Sequence, residues 1–243
     1  MTLIIARPAE SEGRYQAFAE DLVDRLRRTS SVPVLVVPHL YYLQPDGEAV
    51  RRLRECEELR VVAAWLYPRA TRWTLKAFGA GDPEHITALD LRNFDSPDEA
   101  AEALLGAAGA QAAEAASELL PVEIMDGNPE SRWYPVLDYS RCRNCRQCLD
   151  FCIFGAYSLD EEGRVRVTRP DNCKPGCPAC ARVCPTRAIM FPEHPGEPWM
   201  AGSDEAAADR PPPAEQASNA ASPARASDEL DHLVDILDEM DDA

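Results

Sequence analysis

The chain has 243 residues, 45% of them hydrophobic and 28% charged, with 21 prolines and a net charge of −17. That length admits one or two domains with a buried core. The acidic balance argues against a general nucleic-acid binder, and no apolar run approaches the roughly 18 residues that a membrane helix needs.

The charge is uneven. Residues 1–130 balance to −9, residues 131–200 to +2 and residues 201–243 to −10. The opening M-T-L-I-I-A-R-P has no basic start followed by an apolar core and a cleavage site, so a cytoplasmic protein is expected.

Residues 3–7, with Leu3, Ile4 and Ile5, form a short apolar run and a plausible first strand. Residues 11–28 carry Tyr15, Phe18, Leu22 and Leu26 at helical spacing with charges between them. Residues 32–37 are β-branched, with Pro33 near the start, as suits a buried strand of a parallel sheet. A second helix is predicted over 45–56 with Asp46 as its cap, and a third strand over 59–66. A third helix over 69–78 stops at Gly79-Ala80-Gly81, and residues 86–91 read as a fourth strand. Ser96, Pro97, Asp98 and Glu99 make a well-formed helix start, leading into an Ala-rich helix that runs toward Leu120.

Alternating strands and helices predict a doubly wound α/β domain with a parallel sheet over residues 1–120. It has neither a G-x-G-x-x-G fingerprint nor a Walker A loop. A ligand of such a fold sits at the carboxyl ends of the strands. There the sequence places His39, Tyr41 and Tyr42, then Tyr67, Arg69 and Arg72, then Asn93 and Asp95. This group has no reaction signature; solvated or hydrogen-bonded loop residues read equally well. Cys56 stands among carboxylates, which disfavour a thiolate, and reads as a small apolar residue.

Residues 121–132 read as a linker. Beyond them stand eight of the nine cysteines, in two groups of four. Cys142, Cys145, Cys148 and Cys152 are spaced x2, x2, x3; Cys173, Cys177, Cys180 and Cys184 are spaced x3, x2, x3. Disulfides would require an oxidising compartment. Zinc ribbons separate two C-x2-C pairs and do not make tight triplets. Two compact groups of thiolates suit metal–sulfur clusters, which need four deprotonated sulfurs from a loop that curls around them. Between the groups, residues 156–167 alternate around Glu161-Glu162-Gly163 as a hairpin.

The stretch C-R-N-C-R-Q-C-L-D-F-C followed by C-K-P-G-C-P-A-C-A-R-V-C-P resembles the bacterial two-cluster ferredoxins, over about residues 133–192. The phrases W-Y-P-V-L-D-Y-S-R-C and C-P-T-R-A-I are similar to that family as well. The resemblance implies a small α+β module with two 4Fe–4S clusters, each fourth cysteine crossing to the other cluster. Cluster one would then take Cys142, Cys145, Cys148 and Cys184; cluster two would take Cys152, Cys173, Cys177 and Cys180. Two positions depart from the family pattern: Ile153 stands where it has Pro, and Cys173 and Cys177 are separated by three residues. Leu149, Phe151, Phe154, Tyr157, Ile189 and Phe191 are the residues expected to exclude water around the clusters.

The expected module spans 133–198, followed by a Pro/Ala/Ser-rich disordered linker over 199–226. Residues 227–243 then place Leu230, Leu233, Val234, Leu237 and Met240 on one face of an acidic amphipathic helix, suited either to docking a redox partner protein or to packing on the chain itself. The reading that follows is an electron-transfer protein, a dedicated subunit or adaptor for a redox enzyme. The alternative is an oxidoreductase whose α/β domain binds a small molecule or cofactor reduced through the clusters.

Overall fold

The computed structural model describes residues 2–9, 13–56, 60–109, 122–123 and 131–204. The chain divides into two compact units, Met1–Arg210 and Pro211–Ala243, and every described residue belongs to the first. The expected 199–226 linker beyond Asp204, the acidic helix over 227–243 and the extension of the Ala-rich helix past Gly109 lie outside the described residues.

The N-terminal half is an α/β sheet. Its strands are β1 (Thr2–Ala6), β2 (Val34–Val37), β3 (Arg60–Ala64), β4 (Ile86–Asp90) and β5 (Val122–Glu123). They stand in the order β4-β3-β1-β2-β5, and every neighbouring pair is parallel. Leu3 pairs with Val34 on one side and Val61 on the other, so β1 is central. Both faces of the sheet are covered, and this is why its strands read as continuous apolar runs. Leu3, Ile5, Val34, Val36, Val61 and Ala63 pack toward helices α1 (Arg14–Thr29) and α4 (Pro97–Ala107). Ile4, Ala6, Leu35, Val37, Val62 and Ala64 pack on the opposite face with α2 (Glu48–Glu55) and α3 (Pro68–Ala77).

Local signals explain the helices. On α1, Ala19, Leu22, Val23 and Leu26 are buried at i, i+3, i+4 and i+7. Leu22 and Leu26 are fully buried, worth about 2 kcal/mol each. The Ser96 hydroxyl accepts from the Glu99 amide at 3.2 Å, capping α4 as its sequence predicts. Two expectations differ. Helix α2 is capped by Gly47, not Asp46, with no side-chain cap bond. Helix α3 begins at Pro68, in the first-turn position that proline favours. The sheet also recruits Val122 and Glu123 from the stretch read as linker.

The C-terminal half of the described chain is small and pseudo-symmetric. Strand β6 (Val136–Leu137) pairs antiparallel with β9 (Ile189–Met190), and β7 (Tyr157–Leu159) with β8 (Val165–Val167) forms the expected hairpin. Two five-residue helices, α5 (Gln147–Phe151) and α6 (Ala179–Val183), follow the two cysteine wraps. A last helix, α7 (Pro198–Ala201), is capped by Gly202 and followed by described residues through Asp204, so the first residues of the expected linker are folded.

The two halves share a core. Tyr134, Val136 and Met190 join the apolar cluster that covers one face of the sheet. Buried polar ties reinforce this. The Tyr41 hydroxyl donates to the Tyr134 carbonyl at 2.5 Å and accepts from the Tyr134 amide at 2.7 Å. Arg132 donates to the Leu43 carbonyl at 2.6 Å. Arg69 on α3 donates to the Arg187 carbonyl at 2.7 Å. Its Nε lies 2.9 Å from Asp138 Oδ2 with both side chains almost fully buried. That Nε contact falls off the N–H direction, so it is an ion pair more than an aligned hydrogen bond.

Candidate functional site

The two cysteine groups are built alike. In each, the third cysteine, Cys148 or Cys180, lies on the short helix, and the fourth, Cys152 or Cys184, is the residue that ends it. The loop before each helix presents the first two. The first wrap curls tightly because Asn144 and Arg146 adopt left-handed conformations, φ 55° and 63°. Asn144 tolerates this and is held by it: its amide donates to the Gly163 carbonyl at 2.9 Å and its carbonyl accepts from the Val165 amide at 2.8 Å. The hairpin thus pins the first wrap. Asp138 orders the entry to it, accepting from Ser140 Oγ at 2.6 Å while its carbonyl accepts from the Cys142 amide.

The second wrap absorbs its extra residue in a closed turn. The Cys177 amide donates to the Lys174 carbonyl at 3.0 Å, with Pro175 and Gly176 between them and Gly176 at φ 74°. Proline then glycine at the two central positions is what a type II turn asks for. Trp133 Nε1 donates to the Cys177 carbonyl at 3.1 Å and its ring stacks on Phe191 at 4.9 Å.

Cys152, from the first group, lines one cavity of about 440 Å³ with Cys173, Cys177 and Cys180 of the second. Cys148 has Cys184, of the second group, among the thiols beside it, together with Cys180 and Cys142. Burial first, and neighbouring thiols second, push Cys148, Cys173 and Cys180 each up to about 12. For Cys173 those neighbours are Cys177 and Cys152; for Cys180 they include Cys173 and Cys152. A dry pocket that holds several thiols near one another disfavours thiolates until a cation replaces their protons. All nine cysteines are free thiols. Among the described residues, no three His, Cys, Asp or Glu side chains converge closely enough to hold a single metal ion. Cys152, Cys173, Cys177 and Cys180 line a volume instead, a donor arrangement that fits a polynuclear cluster.

The water-excluding residues divide. Tyr157, Ile189 and Phe191 are buried, with Ala156, Val165, Met200 and the cysteines, in one apolar cluster, and Leu149 packs against it. Phe151 and Phe154 instead line the cavity of Cys152, Cys173, Cys177 and Cys180. Phe151 is 53% exposed and Phe154 36%, and between them Ile153 is 88% exposed. Phe151 is the last residue of the helix and Ile153 and Phe154 lie beyond it, and all three line the Cys152 cavity as an exposed apolar rim.

The residues expected at the strand ends also divide. His39 and Tyr67 line a crevice at the carboxyl edge of the sheet. Tyr41 is committed to Tyr134, and Arg69 to Asp138 and Arg187. Arg72 faces a second hollow with Arg141 and Asp204. Tyr42 packs its ring on His39 at 4.6 Å. Asn93 and Asp95 are not among the residues lining the crevice. Their neighbour Arg92 is, as are Trp65, Glu193 and His194. Glu193 and His194 arrive from the far end of the cysteine-rich half, which no local pattern relates to the strand ends. Cys56 ends α2, its thiol 3.4 Å from the Arg52 carbonyl, away from the other eight cysteines.

No family model matches the chain. An uncharacterised ferredoxin of Methanocaldococcus jannaschii is 45% identical over 62 residues, 25% of this chain and 42% of that protein. Pyruvate synthase subunit PorD of the same organism is 42% identical over 55 residues, 23% of this chain and 62% of the subunit. An archaeal glutamate synthase [NADPH] of Archaeoglobus fulgidus is 42% identical over 57 residues, only 11% of its own length. The chain thus covers less than two thirds of each of these relatives. No helix among the described residues is long and apolar enough to cross a membrane. About a quarter of this chain is therefore ferredoxin-like, and the rest is matched by none of these three relatives.

Proposed function

We propose that the chain is an iron–sulfur electron-transfer protein with two 4Fe–4S clusters, serving as a dedicated electron-carrying subunit or adaptor of a redox partner enzyme. Cluster one is held by Cys142, Cys145, Cys148 and Cys184, and cluster two by Cys152, Cys173, Cys177 and Cys180. The observation that carries this reading is the cavity that Cys152 shares with Cys173, Cys177 and Cys180. A cysteine distant in sequence from those three has no other reason to line the same wall. The names of two relatives, a ferredoxin and a subunit of pyruvate synthase, agree with an electron-carrying role in a complex.

Bound in these wraps, each cluster supplies a one-electron couple. The chain's own residues supply the rest. The Ala188 amide donates to Cys184 Sγ at 3.3 Å, a bond that favours negative charge on that sulfur. Tyr157, Ile189, Phe191 and Met200 keep water from the buried thiols. The exposed rim of Phe151, Ile153 and Phe154 offers a partner an apolar contact beside the Cys152 cavity. Residues 227–243 are the proposed docking element.

The crossed ligation is tested by Cys184→Ala. Iron and acid-labile sulfide should fall by half, with the EPR signal of one reduced cluster lost and cluster two retained. Loss confined to the cluster held by Cys173, Cys177 and Cys180 would refute the assignment.

A further inference from the structure

The order β4-β3-β1-β2-β5 creates a topological switch point. The connection after β1 leads to β2 on one side, and the connection after β3 leads to β4 on the other. Where neighbouring strands send their chains apart, a crevice opens at their carboxyl ends, and in open α/β sheets ligands bind there. In this chain the crevice is real and it is roofed. Pro8 and Ala9 follow β1, His39 follows β2, Trp65 and Tyr67 follow β3, and Arg92 follows β4; all line a cavity of about 410 Å³. Pro192, Glu193, His194, Pro195, Gly196, Pro198 and Ala201 complete it from the cysteine-rich half. That volume lies within the range of small-molecule clefts, about 300–1,000 Å³.

The roof is held firmly. The Phe191 amide donates to the Met200 carbonyl at 2.7 Å, and His194 Nδ1 accepts from the Gly196 and Glu197 amides at 3.1 and 3.3 Å. Gly202 closes on α3 so tightly that a Cβ there would stand 2.7 Å from Ala70 Cβ.

The lining defines the chemistry. Its walls are aromatic and proline surfaces: Tyr15 and Trp65 rings 4.8 Å apart and tilted 50° to each other, Tyr67 beneath the Arg92 guanidinium at 4.4 Å, and four prolines. Arg92 spends its charge on Asp90, in two bonds of 2.8 and 2.6 Å. The carboxylate facing the cavity is Glu193, whose Oε1 lies 3.3 Å from His39 Nε2, off the line of a hydrogen bond. The wall therefore carries no surplus positive charge, and it is unsuited to a phosphate or a free carboxylate. It does carry buried polar atoms without an aligned hydrogen bond among the described residues: Nδ1 of His39, 1% exposed, its Nε2 apart from the Glu193 contact, and Nε1 of Trp65, 6% exposed. Buried donors left without aligned partners are costly, so such groups in a cavity wall point to a ligand or water that completes them.

We infer that this crevice binds a neutral, planar nitrogen heterocycle. Its faces lie against the aromatic and proline walls, a ring N–H or amino group donates to Glu193, and ring nitrogen or carbonyl acceptors meet the donors of Trp65 and His39. The site is independent of the cluster assignments: its residues are not cysteines, and its readout is binding.

The test is anaerobic calorimetry of the intact chain with riboflavin and adenosine as probes, each compared with its monophosphate, and with citrate as a non-planar anion. At least one neutral probe should bind, its monophosphate should bind no more tightly, and citrate should not bind. Glu193→Gln should weaken binding about ten-fold, the loss of one charge-assisted bond. Pro195→Trp, at an exposed roof position, should fill the crevice and abolish binding while the visible absorbance and thermal midpoint stay unchanged. Failure of both neutral probes overturns the inference. So does a monophosphate that binds ten-fold more tightly than its neutral parent, or binding that Pro195→Trp leaves intact.

Discussion

Replacing Arg69 by Met tests whether the sheet domain holds the first cysteine wrap in place. The substitution keeps most of the side-chain volume and removes the charge that faces Asp138 at 2.9 Å. It also removes the donor to the Arg187 carbonyl. Burial, then the neighbouring Arg141, lowers the Arg69 guanidinium to about 10, with Asp138 opposing both, so it is charged at neutral pH. Breaking one partner of a buried pair costs about 3–5 kcal/mol, because the other charge is left without compensation. Asp138 is not left bare: it still accepts from the Ser140 amide and hydroxyl and from the Arg141 amide, and Arg141 Nε lies 3.5 Å away. The lower end, about 3 kcal/mol, is therefore expected. For a body of this size that lowers the apparent thermal midpoint by about 6–12 °C, read anaerobically by circular dichroism on the loaded protein. The double variant Arg69→Met, Asp138→Asn should recover part of the loss, since no buried charge then stands alone. A single variant that melts within about 2 °C of the parent, or a double variant that is additive, would refute the reasoning.

Tyr41→Phe removes a hydroxyl that serves both the carbonyl and the amide of buried Tyr134. A loss of about 2 kcal/mol is expected, with the visible absorbance unchanged at room temperature. Gly202→Ala places a Cβ 2.7 Å from Ala70 Cβ at a residue with φ 105°. It should cost about 2–3 kcal/mol and make α7 more accessible to limited proteolysis. Deleting residues 227–243 should leave iron and sulfide content unchanged and weaken capture of the redox partner; equal capture by the truncated chain would dispose of the docking proposal.

Much of the fold is legible in the residues. The strands announce themselves because both sheet faces are buried, so Leu3, Ile4 and Ile5 all read apolar. Ser96 and Pro97 mark the start of α4 because capping is local. Asp46 misleads because an Asx residue one place early satisfies the same pattern, while Gly47 holds the extended conformation the cap requires. Val122 and Glu123 are missed because two residues carry no periodicity; only pairing with β2 makes them a strand. The site divides in the same way. Cysteine spacing is a local signal and places eight thiols in two wraps. Phe151 and Phe154 line the Cys152 cavity but stay partly exposed, because apolar character alone does not say how far a rim residue is covered. Arg69 looks like a strand-end ligand residue, yet its partner Asp138 lies 69 positions away in the cysteine-rich half.

That last contact bears on why the two halves form one body. An apolar seam of Tyr134, Val136 and Met190 on the sheet would bury area but leave the halves free to slide by a residue. Directional groups remove that freedom. Tyr41 reads both main-chain groups of one residue, and Arg69 reads the Arg187 carbonyl and the Asp138 carboxylate. Asp138 is the hinge of the arrangement: its side chain meets Arg69, its carbonyl meets the Cys142 amide, and its amide donates to the Ala188 carbonyl. Ala188 in turn donates to Cys184 Sγ. A continuous run of bonds therefore joins a helix of the sheet domain to two cysteines from different groups. Buried polar contacts add little net stability, but they fix register. Here the register they fix brings Cys142 and Cys184 to opposite ends of one short path through Asp138.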